Sequence, residues 1–395
     1  MDKILSRLFL ISISILVSLL LVEGVANFYL WNITDEDTFK RLASAQQLED
    51  RYGIDIFGTD TTRGGSTFVA QNYIGYAPVA NFRNERGNYH NSYGFRGPEV
   101  TVPKPDETYR IVALGGSTTY STGSRTPEGS YPFLLQQYLN ENGYPNVEVV
   151  NAGVSGYTSY ETLLNFQLRV LDLDPDLIIV YHATNDARAR LIYPVEDYVR
   201  DNSGFIEPVL PSTIMPNILE YSTIARIIGI QTGVFTPHNS LNWTWRPVTE
   251  SSVYELFTQQ IRHGSYPQGI FRNMKAMDII EQNPPTFFES NLRSIIGIAH
   301  ANDIEVMFAT WAWSNEFPEE PCVASEEFIL MHRQHNEVKR QLSEEHDIYF
   351  YDFKAEMPDT RKYWRDGRHM VVEGNMLRAQ LFGDYIMGNI FNSSD

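Results

Sequence analysis

The chain has 395 residues, with 31 Lys and Arg against 49 Asp and Glu, for a formal charge of −18. Apolar residues are 43% and aromatics 13%, enough for a large packed core, which excludes wholesale disorder. The acidic balance repels phosphate backbones and no basic patch offsets it, so a nucleic-acid partner is not expected. A single cysteine, Cys322, excludes both an intrachain disulfide framework and a cysteine-rich metal site.

Lys3 and Arg7 precede an apolar run from Leu8 to Val22. The run continues to Trp31, interrupted by Glu23, Gly24 and Asn27, and Asp35, Glu36 and Asp37 follow it. Basic before and acidic after predicts an amino end inside and the rest of the chain outside. Leu8 to Trp31 is long enough to span ~30 Å of hydrocarbon, with Phe28, Tyr29 and Trp31 at the interface, and an uncleaved anchor is the preferred reading. The alternative is a signal peptide cut at Gly24-Val25-Ala26. Apolar residues run all round this helix, which speaks against a buried amphipathic one.

A short helix is expected around Lys40 to Tyr52, and residues 61–100 read as turns and short strands. From Tyr109 short β-branched runs alternate with helical stretches, the pattern of an α/β fold around a parallel sheet. The expected strands are Arg110 to Leu114, Val147 to Val150, Leu177 to Tyr181, Ile304 to Ala309 and Ile348 to Tyr351. Ser130 and Pro132 open a helix to about Asn142. Thr158-Ser159-Tyr160-Glu161 reads as a capping box, with Leu164, Leu168 and Leu171 as the apolar stripe behind it. Thr286 to Glu289 reads as a second capping box, opening a helix to about His300. Further helices are expected from Ser325 to about Glu345 and from about Glu373 to Ile390, the last with Leu377, Leu381 and Tyr385 on one face. About a hundred residues separate the third strand from the Thr286 helix. That is too long for a plain connection, and the stretch, with Trp243 and Trp245, reads as an insertion or lid.

Ligands of open parallel sheets bind outside the carboxyl ends of the strands. Gly115-Gly116-Ser117-Thr118-Thr119 follows the first strand and Asn151-Ala152-Gly153-Val154-Ser155-Gly156 the second. His182-Ala183-Thr184-Asn185-Asp186 follows the third, and Asp366-Gly367-Arg368-His369 lies ahead of the last helix. A serine, a glycine, an asparagine and an Asp/His pair thus converge on one edge of the expected sheet.

These four segments, in this order, resemble the four sequence blocks of the SGNH (GDSL-like) hydrolase family. The resemblance spans Ile111 to Ala379. It implies a flavodoxin-like α/β/α sandwich with a mostly parallel five-stranded sheet, and an esterase, lipase or acetylesterase activity with no metal or other cofactor. Carried over residue by residue, it makes Ser117 the nucleophile, Asp366 and His369 its triad partners, and Gly153, Asn185 and the Ser117 N–H the oxyanion donors. The chain departs from the family at Gly116, where Asp is usual, and at Ala183, where Gly is usual; neither removes a reacting group. Asn91 to Gly97, Asn-Ser-Tyr-Gly-Phe-Arg-Gly, resembles what precedes the first strand in membrane-anchored bacterial members. The implied organisation is an anchor or signal peptide at 1–34, an amino-terminal extension at 35–105, and the hydrolase domain at 106–395 with an insertion at about 190–285.

The residue types suit the chemistry. A serine hydroxyl needs a base to take its proton, and a neutral imidazole does this at neutral pH. A carboxylate on the other ring nitrogen holds the tautomer, and a turn at Asp366-Gly367-Arg368-His369 lets one loop deliver base and orienter together. The expected substrate is an ester, such as an O-acetyl group on a glycan. An O-acyltransferase using the same serine and a non-catalytic anchored glycan-binding protein are the alternatives. Ser155, in a near match to the Gly-x-Ser-x-Gly elbow that fails at Tyr157, is the second-choice nucleophile. His182 reads as packing near the site, His332 and His335 as core histidines, and Trp311 and Trp313 as core or rim. No phosphate-binding loop is present. Asn32, Asn242 and Asn392 begin sequons that matter only in a eukaryotic secretory route.

Overall fold

The five runs expected as strands are strands in the computed structural model, which describes residues 2–52, 67–71, 73–191, 206–208, 222–232, 245–247 and 275–392. They are β1 (Tyr109–Gly115), β2 (Val147–Asn151), β3 (Leu177–Tyr181), β4 (Glu305–Ala309) and β5 (Tyr349–Tyr351). All pair in parallel, in the order β2-β1-β3-β4-β5, with Ile111 opposite both Val149 and Leu177. This is the flavodoxin-like order, and the chain reverses direction across the sheet beside β1, where such folds open a crevice.

Alternation along the strands sends side chains to two covered faces. Val112, Leu114, Ile178, Val180, Val306 and Phe308 pack in one core with Phe166, Phe288, Leu292 and Leu342. The helices on that side are α3 (Ser159–Asn165), α5 (Thr286–His300) and α6 (Glu326–His346). On the other side, α2 (Tyr131–Glu141) packs on α7 (Val372–Ile386), and Tyr131 meets Phe382 at 5.6 Å. The architecture is therefore the expected three-layer sandwich.

Local chemistry explains three departures from the expected elements. The Thr158–Glu161 capping box is present, but α3 is followed by a π-helical turn, Phe166–Val170. The turn's extra residue rotates the helix face. Phe166, Val170 and Leu173 become the buried stripe, and Leu168 is exposed. Helix α5 has Pro285 as its N-cap with no side-chain cap bond, so Thr286 is not a capping residue. In α7 the buried face is Asn375, Arg378, Phe382 and Ile386, about one residue round from Leu377, Leu381 and Tyr385. The cause is Arg378, a charged residue that pattern reading places outside. The expected insertion at about 190–285, with Trp243, lies mostly outside the described residues.

The described residues divide into two compact units, Gln71–Pro208 with Arg246–Asp395, which holds the sheet, and Met1–Ala70 with Val209–Trp245. In the second of these, Asp2–Asn32 is one helix, and its Leu5–Asn32 stretch is long and apolar enough to cross a membrane. The polar residues that interrupt its apolar run have partners. Glu23 accepts from Ser222 Oγ at 2.7 Å and from the Thr223 and Ile224 amides, which caps the helix Thr223–Gln231. Asn27 Oδ1 accepts from Thr223 Oγ1 and from Gln47 Nε2, each at 3.0 Å. The single helix expected around Lys40 to Tyr52 is two, Glu36–Leu42 and Ala45–Tyr52. A reciprocal pair of bonds, Ser44 N–H to Gln47 Oε1 and Gln47 N–H to Ser44 Oγ, starts the second helix and ends the first.

Candidate active site

Strand β1 ends at Gly115-Gly116 and turns at once into a single helical turn, α1 (Ser117–Tyr120). The glycine at 115 is required by space, since a Cβ there would sit 2.1 Å from Thr119 Oγ1 and 2.7 Å from Tyr181 O. Ser117 takes the first helical position, where the amide has no intrahelical acceptor.

The partner residues come from the loop before α7. Asp366 Oδ1 accepts from the Arg368 and His369 amides at 3.2 and 2.8 Å, and Gly367 takes φ +77°, the left-handed region the turn needs. Gly123 lets this loop lie on the segment after α1, because a Cβ there would meet Met370 O at 1.9 Å. His369 Nε2 is 2.7 Å from Ser117 Oγ, and His369 Nδ1 is 2.8 Å from Asp366 Oδ2. An ionised carboxylate only accepts, so Nδ1 carries the proton and Nε2 is left to accept from the serine hydroxyl. The three sequence-predicted residues, 252 positions apart at the extremes, thus form one hydrogen-bonded chain.

The electrostatics favour that protonation pattern. Burial disfavours a charged ring and lowers the His369 pKa below its ordinary value, against the hydrogen bond and charge of Asp366, which raise it. Burial also tends to raise the Asp366 pKa, but the His369 hydrogen bond and the positive charge of Arg368 hold that carboxyl well below the usual range. At neutral pH the pair is a neutral base beside a carboxylate.

Asn185 is the second residue of the helix α4 (Thr184–Ala189), which follows β3. Its Nδ2 donates to Tyr157 O at 2.8 Å, which fixes the amide and leaves the second N–H for another acceptor. The Gly153 N–H donates to Asn151 Oδ1 at 3.1 Å, so this expected oxyanion donor has an internal acceptor here. Gly153 is also a packing glycine: a Cβ would stand 2.3 Å from Tyr120 N and 2.7 Å from Thr119 C. Gly153→Ala is therefore expected to push α1 off its place and lower kcat/KM about 10²-fold, the usual cost of a misplacement near 1 Å. Steady-state kinetics alongside a melting curve would check this, and a fully active, equally stable variant would contradict it.

The other candidates do not join the serine. Ser155 sits in the turn after β2, where Tyr76 holds its carbonyl at 2.7 Å, and among the described residues no histidine partners its hydroxyl. His182 is buried, with Nε2 2.7 Å from Thr162 Oγ1, and burial pushes its pKa down to about 3. His332 is buried between Trp311 and Trp313, at 4.3 and 5.5 Å, and His335 stacks on Phe288 at 4.3 Å. His182, His332, His335, Trp311 and Trp313 are all buried.

Two buried charged groups behind the site were not assigned roles from sequence. Asp186 accepts from Ser159 N–H at 2.9 Å and Ser159 Oγ–H at 2.6 Å, so it ties the helix of Asn185 to the helix that follows the Gly153 loop. Burial raises its pKa to about 7 despite those bonds. The signal available was its place after Asn185 at a strand end. Arg378 donates to Thr118 O at 3.1 Å with its guanidinium 3.5 and 3.9 Å from the rings of Tyr131 and Tyr181. Nothing in the helical pattern marked it.

Part of the chain is similar to known proteins. Residues 113–263 match the GDSL-like lipase/acylhydrolase family, a stretch that includes Ser117, Gly153 and Asn185 and ends before Asp366 and His369. The uncharacterized lipoprotein YqeF of Bacillus subtilis is 32% identical over 124 residues. The match covers 26% of this chain and 48% of that protein, so the chain spans about half the length of this relative. Solved structures that resemble the chain include a lipase/acylhydrolase from Enterococcus faecalis (16% identity, 71% of this chain and 96% of that one, TM-score 0.40). Another is a GDSL-like lipase from Bacteroides thetaiotaomicron (15% identity, 74% and 93%, TM-score 0.40). By the matched sequence, residues 113–263 of the chain are similar to the GDSL-like lipase/acylhydrolase family, and they include β2 and β3 of the parallel five-stranded sheet.

Proposed function

We propose that this protein is an exported serine esterase in which Ser117 is the nucleophile, His369 the general base and Asp366 the residue that orients the imidazole. The observation that carries the reading is the hydrogen-bond chain from Ser117 Oγ through His369 to Asp366, at 2.7 and 2.8 Å. His369 Nε2 takes the hydroxyl proton as Oγ bonds to the ester carbonyl carbon. The carbonyl oxygen becomes an oxyanion. Its donors are the Ser117 N–H, the second N–H of Asn185 and the Gly153 N–H once it leaves Asn151. Collapse breaks the carbon–oxygen bond to the alcohol, which leaves with the proton from His369 and an acyl group on Ser117. Water, deprotonated by His369, then attacks the acyl carbon; the bond to Ser117 Oγ breaks, His369 returns the proton to that oxygen, and the acid leaves. None of these steps uses a metal or cofactor.

Two observations support export with an uncleaved anchor. The Asp2–Asn32 helix has the length and polarity of a membrane span. Glu23 accepts from Ser222 and the amides that follow it, a use that cleavage after Ala26 would abolish, and the same cut would leave Asn27, the partner of Thr223, as the first residue. The lipoprotein name of the Bacillus relative fits a surface location. A site held outside the cytoplasm lies beside envelope glycans, which supports an O-acetylated glycan as substrate.

The test is a panel of short-chain and long-chain acyl esters and acetylated glycans, with and without a glycan acceptor, run across pH. Hydrolysis is expected on short acyl groups, with acid released in preference to transfer. Because only neutral His369 can accept the serine proton, kcat/KM is expected to rise with pH. Its midpoint should fall below the ordinary histidine value of about 6.5, since burial lowers this pKa. A panel with no turnover, or a pH profile flat across the acid range, would sink the reading. Net transfer to the acceptor would make the protein an acyltransferase.

A further inference from the structure

The motif Asn91 to Gly97 lies ahead of the sheet, and the esterase reading leaves it without a role. Its local chemistry is specific. Asn91 Oδ1 accepts from the Tyr93 and Phe95 amides at 3.1 and 2.9 Å, and Gly94 and Gly97 take φ +80° and +123°. The resulting turn drives Phe95 into the main core and Arg96 beneath the nucleophile turn, leaving them 2% and 4% exposed.

Arg96 spends its Nη donors on one target. Nη1 donates to Ser121 O at 2.9 Å and to Tyr120 O, and Nη2 donates to Ser124 O at 3.0 Å. Nε donates to Asn88 Oδ1 at 2.8 Å, and the guanidinium lies 4.6 Å from the Tyr120 ring. Among the described residues no carboxylate lies within ion-pair distance. The ring Arg96 covers is itself held: Asn88 Nδ2 donates to Tyr120 Oη, which is also 2.9 Å from His90 Nε2. The Arg96 amide meets Asn151 O at 3.3 Å, two residues before Gly153.

A helix of one turn does not hold itself, because nucleation fixes several dihedrals for one hydrogen bond. The last carbonyls of α1 and its cap also need outside donors, and Ser121 has a left-handed φ of 64°. We propose that Arg96 is a positioning residue for Ser117: its guanidinium pins the carboxyl end of α1 and thereby sets where the serine hydroxyl stands relative to His369. The proposal rests on the reading of Ser117 as nucleophile. Only a planar fork reaches Ser124 O and the two α1-end carbonyls from one stem, so lysine does not replace it.

The test uses the full-length protein with Arg96→Ala, Arg96→Lys and, in parallel, Ser117→Ala. The readouts are kcat and KM on an acyl ester, the rate of covalent labelling by a fluorophosphonate, and a melting curve. Both Arg96 variants are expected to lose about 10²-fold in kcat and labelling rate with KM nearly unchanged, and added guanidinium is expected to recover part of the loss in Arg96→Ala alone. Arg96→Lys that folds and labels at the wild-type rate would overturn the proposal. So would an Arg96→Ala loss that guanidinium leaves untouched while the melting curve stays as in the wild type. If Arg96→Ala does not fold, Arg96→Lys decides. Turnover retained in Ser117→Ala would instead defeat the nucleophile assignment, which separates the two failures.

Discussion

Ser117→Ala is expected to lower kcat on the order of 10⁶-fold while leaving the fold intact. The two effects separate because of where the hydroxyl sits. Ser117 Oγ has one hydrogen-bond partner among the described residues, His369 Nε2, and the residue is half-buried at the first position of α1. The main-chain bonds of the turn, from the Ser121 and Thr122 amides to Ser117 O, do not involve the side chain. Losing one such contact at a surface-facing position moves stability by about 0.5 kcal/mol or less. The melting temperature is therefore expected to stay within about 2 °C of the wild type. The proposed oxyanion donors remain, so turnover on the order of 10³–10⁴ above the uncatalysed rate should persist. Kinetics with active-site titration and calorimetry would check this; wild-type turnover in the variant is the contrary result.

Asp366→Asn is expected to reduce kcat about 10⁴-fold with a smaller change in KM. The argument comes from how the carboxylate divides its two oxygens. Oδ1 serves the Arg368 and His369 amides, and Oδ2 serves His369 Nδ1–H. Asparagine has one oxygen. If that oxygen stays on the backbone amides, its NH₂ faces Nδ1, and the imidazole must accept there and carry its proton on Nε2. That tautomer presents a donor to Ser117 where an acceptor is needed. If the amide turns over, two loop amides lose their acceptor and the turn carrying His369 loosens. Either way the base fails. Measured kcat above a tenth of the wild-type value would show that the carboxylate does not set the tautomer.

The elements most legible in the sequence were those governed by composition and local spacing. Leu-Ile-Ile-Val-Tyr at 177–181 is a strand in any reading, since a fully buried parallel strand is an unbroken apolar run. The Thr158–Glu161 cap was legible because both partners lie within one turn. Thr286 misled for the same reason: an apparent cap is only a pattern until Pro285 starts the helix one residue earlier. Faces were less legible than elements. A π-helical turn at 166–170 and a buried Arg378 each rotated a stripe that even spacing predicts elsewhere.

Buried charge was the least legible property of all. Lys339 is fully buried and donates to His182 O and Ala309 O at the ends of β3 and β4, at 3.0 and 2.7 Å, and burial brings its pKa down to about 7. A lysine on a helix is ordinarily a solvated one. Its partners are main-chain carbonyls from two other strands, and backbone groups carry no sequence signature. Arg96 and Arg378, which donate to main-chain carbonyls of the serine's turn, are the same case.

The amino-acid sequence by itself determined the strands, their order along the chain, and the five residues that gather at one edge of the sheet, because these follow from side-chain type and short-range periodicity. Tertiary structure alone decided the 2.7 and 2.8 Å contacts that join residues 117, 369 and 366, and the buried arginines that hold the serine's turn. The Ser117–His369 and Thr118–Arg378 contacts link groups 252 and 260 residues apart, where only the closed sheet and its packed helices set the distance.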